Sequence, residues 1–256
     1  MGLWALRLEY DGGPFVGWQR QANGLSIQHV LEDAAARLNG GAPVASAVAG
    51  RTDAGVHAEA QVAQVELAPP MEPDKLRDAL NFHLKPYPVA VLQAAAAPEG
   101  WHARFSAIGR CYRYRILNRA ARPALSVGRV WHVRRALDAE AMHEAAQGLL
   151  GRHDFTSFRA AACQANSPLR TLDRLDVRRV DEIVEVVAEA RSFLHHQVRN
   201  MVGTLKLVGD GRWRREDVAG ALAACDRAAA GPTAPAAGLC LTGVVYGRDP
   251  FSPGPG

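Results

Sequence analysis

Apolar and polar residues alternate from Leu3 to Tyr10, the period-two pattern of a strand with one buried face. The period then changes. Ile27, Val30, Leu31, Ala34, Ala35 and Leu38 form one apolar stripe at helical spacing, and Ser26 stands before them as an N-cap. Val44 to Val48 and Gln61 to Leu67 read as strands. Pro73 to Phe82 reads as a helix with proline in its first turn, and Val89 to Gln93 as a further strand. A similar order returns in the second half. Arg110 to Leu117 alternates as a strand, and Asp138 to Leu150 reads as a helix ended by Gly151. Leu175 to Val180 and Ile183 to Ala190 read as paired strands turning near Asp181. Phe193 to Val208 reads as one long apolar helix, and Leu239 to Tyr246 as the closing strand. No sequence repeat accompanies this repeated order. The pattern predicts an α+β fold of two ferredoxin-like halves, residues 1–105 and 106–248. A Pro- and Gly-rich tail, 249–256, is expected to fray.

Composition narrows the class. The chain has 256 residues, 48% of them apolar, enough for one large core or two modest ones. No apolar run is long enough to span a membrane and no secretory signal is visible, so a cytoplasmic protein with no membrane partner is expected. Cys111, Cys163, Cys225 and Cys240 are scattered, which indicates neither a zinc site nor a disulfide framework; they read as buried free thiols. The net charge of +4 is modest, but arginine supplies nearly all the positive charge, with lysine only at Lys75, Lys85 and Lys206. Arginine makes planar contacts with phosphate and stacks on bases, so an RNA partner is permitted. Arg104, Arg110, Arg113, Arg115, Arg119 and Arg122, with Arg134, Arg135 and the 212–215 cluster, are candidates to line a groove for an RNA backbone.

The segment with most chemical content is Ala49 to Ala58, AGRTDAGVHA. It lies between two expected strands, where a loop is rigidly supported. Gly50 and Gly55 bracket Arg51, Thr52 and Asp53. By spacing alone an ordinary turn is the favoured reading, since Asp and Gly are turn residues.

The wider sequence resembles the tRNA pseudouridine synthase A family. Besides that loop, the resemblance rests on Tyr10-Asp11-Gly12 with Phe15, Gly17, Trp18, Gln19 and Arg20, and on Ser26-Ile27-Gln28. It continues through Trp101 to Ala107 with Arg110, Tyr112 and Tyr114, then Asp154 to Phe158, Phe193 to Gly203, and Gly238-Leu239 with Leu241. These blocks come in the family's order and span nearly the whole chain. Leu84-Lys85-Pro86 departs from it, where the family usually runs Leu directly into Pro.

The resemblance implies isomerisation of uridine to pseudouridine at positions 38, 39 and 40 of the tRNA anticodon stem-loop, by a homodimer. It implies one mostly antiparallel central sheet flanked by helices. Asp53 is the expected nucleophile; whether it attacks ribose or base, or abstracts a proton, stays open. Arg199 lies on an apolar stretch, and the family's arginine there pairs with the catalytic aspartate. Tyr112 matches the family's active-site tyrosine, with Tyr114 on the same face as a core residue. Arg51 is the candidate wedge that fills the gap left by a flipped base. Leu239 or Leu241 would form an apolar floor under the uracil. No cofactor and no metal are expected. His57, His102, His195 and His196 read as structural, the last two pointing to different faces of a helix. A metal-dependent hydrolase built on Asp53, His57 and His102 is the weaker alternative. A tRNA-binding protein of the same fold without catalysis is the other, although Asp53, Tyr112 and Arg199 are all present.

Overall fold

A computed structural model describes residues 2–68 and 70–252. Its elements, in chain order, begin with β1 (Gly2–Tyr10), α1 (Ile27–Leu38), β2 (Ser46–Val48), β3 (His57–Leu67), α2 (Pro73–Leu84) and β4 (Val89–Ala96). There follow β5 (Ala107–Asn118), β6 (Trp131–Val133), α3 (Ala139–Gln147), β7 (Gly151–Asp154), β8 (Leu169–Val180) and β9 (Ile183–Ala190). The last are α4 (Gln197–Gly209), α5 (Arg215–Ala223) and β10 (Leu239–Tyr246). The fold is α+β with mostly antiparallel strands, as the alternating periods predict. Among the described residues no helix is long and apolar enough to cross a membrane.

The chain forms two compact units. One runs to Arg110 and resumes at Leu241; the other is Cys111–Cys240. Both chain crossings therefore fall inside strands, β5 and β10.

In the first unit the strands lie in the order β4-β1-β3, antiparallel, with β2 on β3. Trp4, Leu6, Leu8 and Tyr10 of β1 are buried, which is the predicted inward face. Ile27, Val30, Leu31, Ala34 and Ala35 of α1 are buried as the stripe requires, and Ser26 Oγ accepts from the His29 amide. α2 buries Leu76, Leu80 and Leu84, one residue per turn. The Asn81 side chain fixes α2 against β4, donating to Val91 O at 2.9 Å and accepting from Val91 N at 2.7 Å. The Lys85–Pro86 bond, at the departure from the family pattern, is cis. Of the expected tail, residues 253–256 lie outside the described residues; Asp249 pairs with Arg7, whose guanidinium sits over the Phe251 ring.

In the second unit the order is β5-β9-β8-β7, with β6 added parallel to β5. β8 and β9 form a hairpin whose turn residue Asp181 has φ 52°. Helix boundaries differ from the expected ones most at α3 and α4, while α2 runs two residues further, to Leu84. α3 ends at Gln147 with Gly148 as its cap, and Gly151 instead opens β7. α4 starts at Gln197 rather than Phe193, because His196 turns left-handed, with φ 63°, and breaks the helical run. The Gln197 side chain marks the new start by accepting from the Leu194 amide at 2.8 Å. The cysteines also differ from expectation: none is fully buried, and Cys225 is exposed.

The C-terminal end of α4 carries a buried charge. Asp210 accepts from Lys206 Nζ at 2.6 Å and from Arg212 Nη2 at 2.7 Å, and its side chain is only 2% exposed. Burial alone would raise its pKa, but the bonds from Arg212 and Lys206 outweigh burial and bring it down to about 2. A lowered folded pKa adds stability above the unfolded value, and that stability is lost as pH falls through the folded value. Asp210→Asn is therefore expected to lower unfolding stability at pH 7 by roughly 2 kcal/mol, the scale of a carboxylate moved that far. Denaturant titrations of both proteins should show this gap shrinking to about half at pH 3 and nearly closing at pH 2. A gap independent of pH would mean that the ion pairs contribute nothing.

Candidate active site

The loop from Ala49 to Val56 joins β2 to β3 in the first unit. Ala49 N donates to Val62 O at 2.8 Å, anchoring its start to the strand that follows. A tight turn closes its end, with Val56 N donating to Asp53 O at 3.1 Å and Gly55 at φ 76°. Between these anchors Arg51 is exposed, Thr52 is buried and Asp53 is partly buried. Residues 11–18 pack directly on this loop, and the Trp18 amide donates to Thr52 O at 3.0 Å. Gly17 makes that approach possible. It has φ 106°, and a Cβ there would lie 2.8 Å from Thr52 O.

The nearby histidines serve turns. His57 Nδ1 accepts from the Gly12 amide, and His102 Nδ1 accepts from the Arg104 amide. Their use fits the structural reading given above.

The expected RNA-facing arginines are divided. Arg110 does not belong to a groove. It is buried, and its guanidinium donates to the carbonyls of Ala49, Arg104 and Ala107. Arg113 faces Glu185, Arg119 pairs with Glu182, and Arg212 is committed to Asp210. Arg134 and Arg135 are exposed.

In the second unit Tyr112 and Tyr114 share the buried face of β5, as alternation predicts. Tyr112 meets the Phe193 ring edge-on at 5.3 Å. Tyr114 is fully buried and donates to Pro235 O at 2.7 Å. Burial pushes its hydroxyl pKa well above the usual tyrosine value, against the opposing charge of Arg199. It is a core residue that keeps its proton.

Arg199 lies one turn into α4 and is half-buried. Its Nε donates to Ala234 O at 2.8 Å, and its own carbonyl accepts from Ala234 N at 3.1 Å. The first bond orients the guanidinium and the second ties the main chain to the same residue. Leu239 is buried at the start of β10 in this unit; Leu241, fully buried, belongs to the first. His195 and His196 sit in a turn rather than on opposite helix faces, with ring centroids 4.1 Å apart.

Sequence reading missed the side chains that grip the Asp53 loop from below, Tyr10 and Gln61. One signal for them existed: Gln61 is polar at an inward position of β3, where alternation calls for an apolar residue.

The tRNA pseudouridine synthase family profile matches residues 8–106 and 145–247. A protein of Acidiphilium cryptum named tRNA pseudouridine synthase A is 71% identical over 98% of this chain and 99% of its own length. Proteins of the same name from Rhodospirillum centenum and Paramagnetospirillum magneticum are 64% and 60% identical, over 96% and 100% of this chain and 100% and 99% of their own lengths. With the profile covering most of both units and the relatives aligned end to end, this chain belongs to the tRNA pseudouridine synthase family.

Proposed function

We propose that this chain isomerises uridine to pseudouridine at positions 38, 39 and 40 of the tRNA anticodon stem-loop, with Asp53 as the nucleophile. One observation carries the reading: the Asp53 carboxylate is partly exposed on a loop tied down on both sides. The reaction breaks the bond from ribose C1′ to uracil N1 and forms one from C1′ to C5. The base gains a proton at N1 and loses one from C5, so nothing is imported and one ionised acid suffices.

In this proposal Arg199 pairs with Asp53, and a guanidinium held through Nε by Ala234 O suits that role. Tyr112 packs against the uracil, with Leu239 or Leu241 as apolar floor. Arg51, exposed two residues before Asp53, fills the space left by the flipped base. Positions 38 to 40 and a homodimer come with the family resemblance, and a cytoplasmic setting is part of the same proposal. Recognition of neighbouring positions fits reading by shape more than by sequence.

The test is direct. Unmodified tRNA with uridines at positions 38 to 40 is incubated with the purified protein and a chelator, and pseudouridine is mapped by chemical labelling and primer extension. Product at those positions supports the proposal. Tight tRNA binding without product would leave an RNA-binding protein of the same fold.

A further inference from the structure

The loop that carries Asp53 rests on a buried polar relay that an ordinary hairpin does not need. Gln61, fully buried on β3, donates from Nε2 to Gly50 O at 2.8 Å and to Tyr10 Oη at 3.2 Å. Its Oε1 accepts from the Val62 amide at 3.1 Å. Those partners fix which way the amide faces, since a carbonyl must meet the NH2 end and an N–H the oxygen end. Tyr10, at the end of β1 and 4% exposed, is 2.8 Å from Thr52 Oγ1. Its oxygen accepts from Gln61, and either hydroxyl can donate in the bond between Tyr10 and Thr52. Thr52 is itself 6% exposed and immediately precedes Asp53. Arg110 completes the grip by donating to Ala49 O at 2.7 Å.

Leucine and phenylalanine in place of Gln61 and Tyr10 would fill this core with no polar side chain of their own to satisfy, but would strip the partners from Gly50 O and Thr52 Oγ1. What polar groups add is direction: fully satisfied buried networks fix one geometry. We infer that Gln61 and Tyr10 are positioning residues, which act through Thr52 and Gly50 to hold Asp53 at its attack distance. The inference rests on Asp53 being the nucleophile. A reacting atom displaced by about 1 Å can lose about 100-fold in rate, so a relay that removes such freedom acts on kcat and not on binding.

The experiment compares Tyr10→Phe, Gln61→Leu, Thr52→Val and Thr52→Ser with wild type and with Asp53→Asn, in single-turnover and steady-state assays on tRNA. Rates are normalised to protein competent to bind tRNA, so that loss of folded protein is not counted as loss of rate. Tyr10→Phe and Thr52→Val are expected to lower kcat by about 10- to 100-fold, with KM and tRNA affinity within about twofold of wild type. Thr52→Ser, which restores the hydroxyl, is expected to recover most of the rate. Tyr10→Phe combined with Thr52→Val should be no worse than Tyr10→Phe alone, because Tyr10→Phe already breaks the bond that Thr52→Val removes. Wild-type kcat in Tyr10→Phe, or equal loss in Thr52→Ser and Thr52→Val, would overturn the inference while leaving an inactive Asp53→Asn to support the nucleophile. An active Asp53→Asn would instead remove the reading on which the inference stands.

Discussion

Asp53→Asn is expected to abolish pseudouridine formation, by at least about 10⁴-fold, while leaving tRNA binding within about threefold. The substitution keeps the shape of the side chain, removes its charge and nucleophilicity, and turns one accepting oxygen into a donating NH2. The turn that carries it closes through the backbone, Val56 N to Asp53 O, and so survives. The relay beneath it runs through Tyr10, Gln61 and Thr52 and is likewise untouched. Binding to tRNA is dominated by phosphate contacts, and losing one negative charge cannot weaken those. Binding by gel shift and product by primer extension, on the same preparations, separate the two effects. Activity retained by Asp53→Asn would place the nucleophile elsewhere. Loss of binding together with activity would mean that Asp53 orders the loop rather than attacking the substrate.

The sequence showed most where one period governed a whole element. β9 and β10 have the ends expected for them, Ile183–Ala190 and Leu239–Tyr246; a turn at 181–182 opens β9, and Gly238 and Gly247 flank β10. It misled where apolar character continued past a break in the backbone. Phe193 and Leu194 extend the stripe of α4, but the left-handed His196 separates them from the helix, and nothing in a histidine announces that conformation. α5 escaped notice because it buries only Val218 and Ala221, too few to mark a stripe. β7 is four residues, GRHD, with no apolar pattern; pairing with β8 makes it a strand.

The candidate site was legible in a different way. Local periodicity left the Asp53 loop as a plain turn, and only the separated blocks of family resemblance raised it to a site. Those blocks did not reveal the work of Arg110. Charge composition suggested an RNA-facing residue, whereas the structure gives it three carbonyls, among them Ala49 O, 61 positions away in sequence. An arginine's partner is a tertiary fact. Counting basic residues along the chain overstates the surface available to a phosphate backbone when Arg113, Arg119 and Arg212 have carboxylates of their own.

Gly203→Ala is expected to destabilise the protein strongly, although Gly203 lies within a helix, where alanine is the better residue. In an unconstrained helix this change contributes about 1 kcal/mol of stability. Gly220, in α5, has no atom within 4 Å of where a Cβ would stand, so Gly220→Ala should show that gain. At Gly203 a Cβ would lie 1.7 Å from Pro232 O and 3.1 Å from Ala234 N. Neither side can yield cheaply. α4 buries 11 of its 13 residues. The segment opposite is tied on both flanks of the contact: Gly231 N to Thr204 Oγ1 at 2.9 Å, Thr233 Oγ1 to Asn200 Oδ1 at 2.7 Å, and Ala234 to Arg199 by two bonds. Overpacking of this kind costs about 3 kcal/mol or more, which outweighs the helical gain and should lower Tm by about 6–12 °C. The effect should reach activity as well. Moving Ala234 releases the Nε of Arg199, so the rate per folded molecule should fall, which Gly220→Ala should not cause. Thermal melts of the two variants, of opposite sign, together with single-turnover rates, check both parts. A Gly203→Ala protein that melts at or above wild type would mean that α4 does not touch the 231–234 segment as described. A less stable variant with an unchanged rate would show that Arg199 keeps its orientation without Ala234.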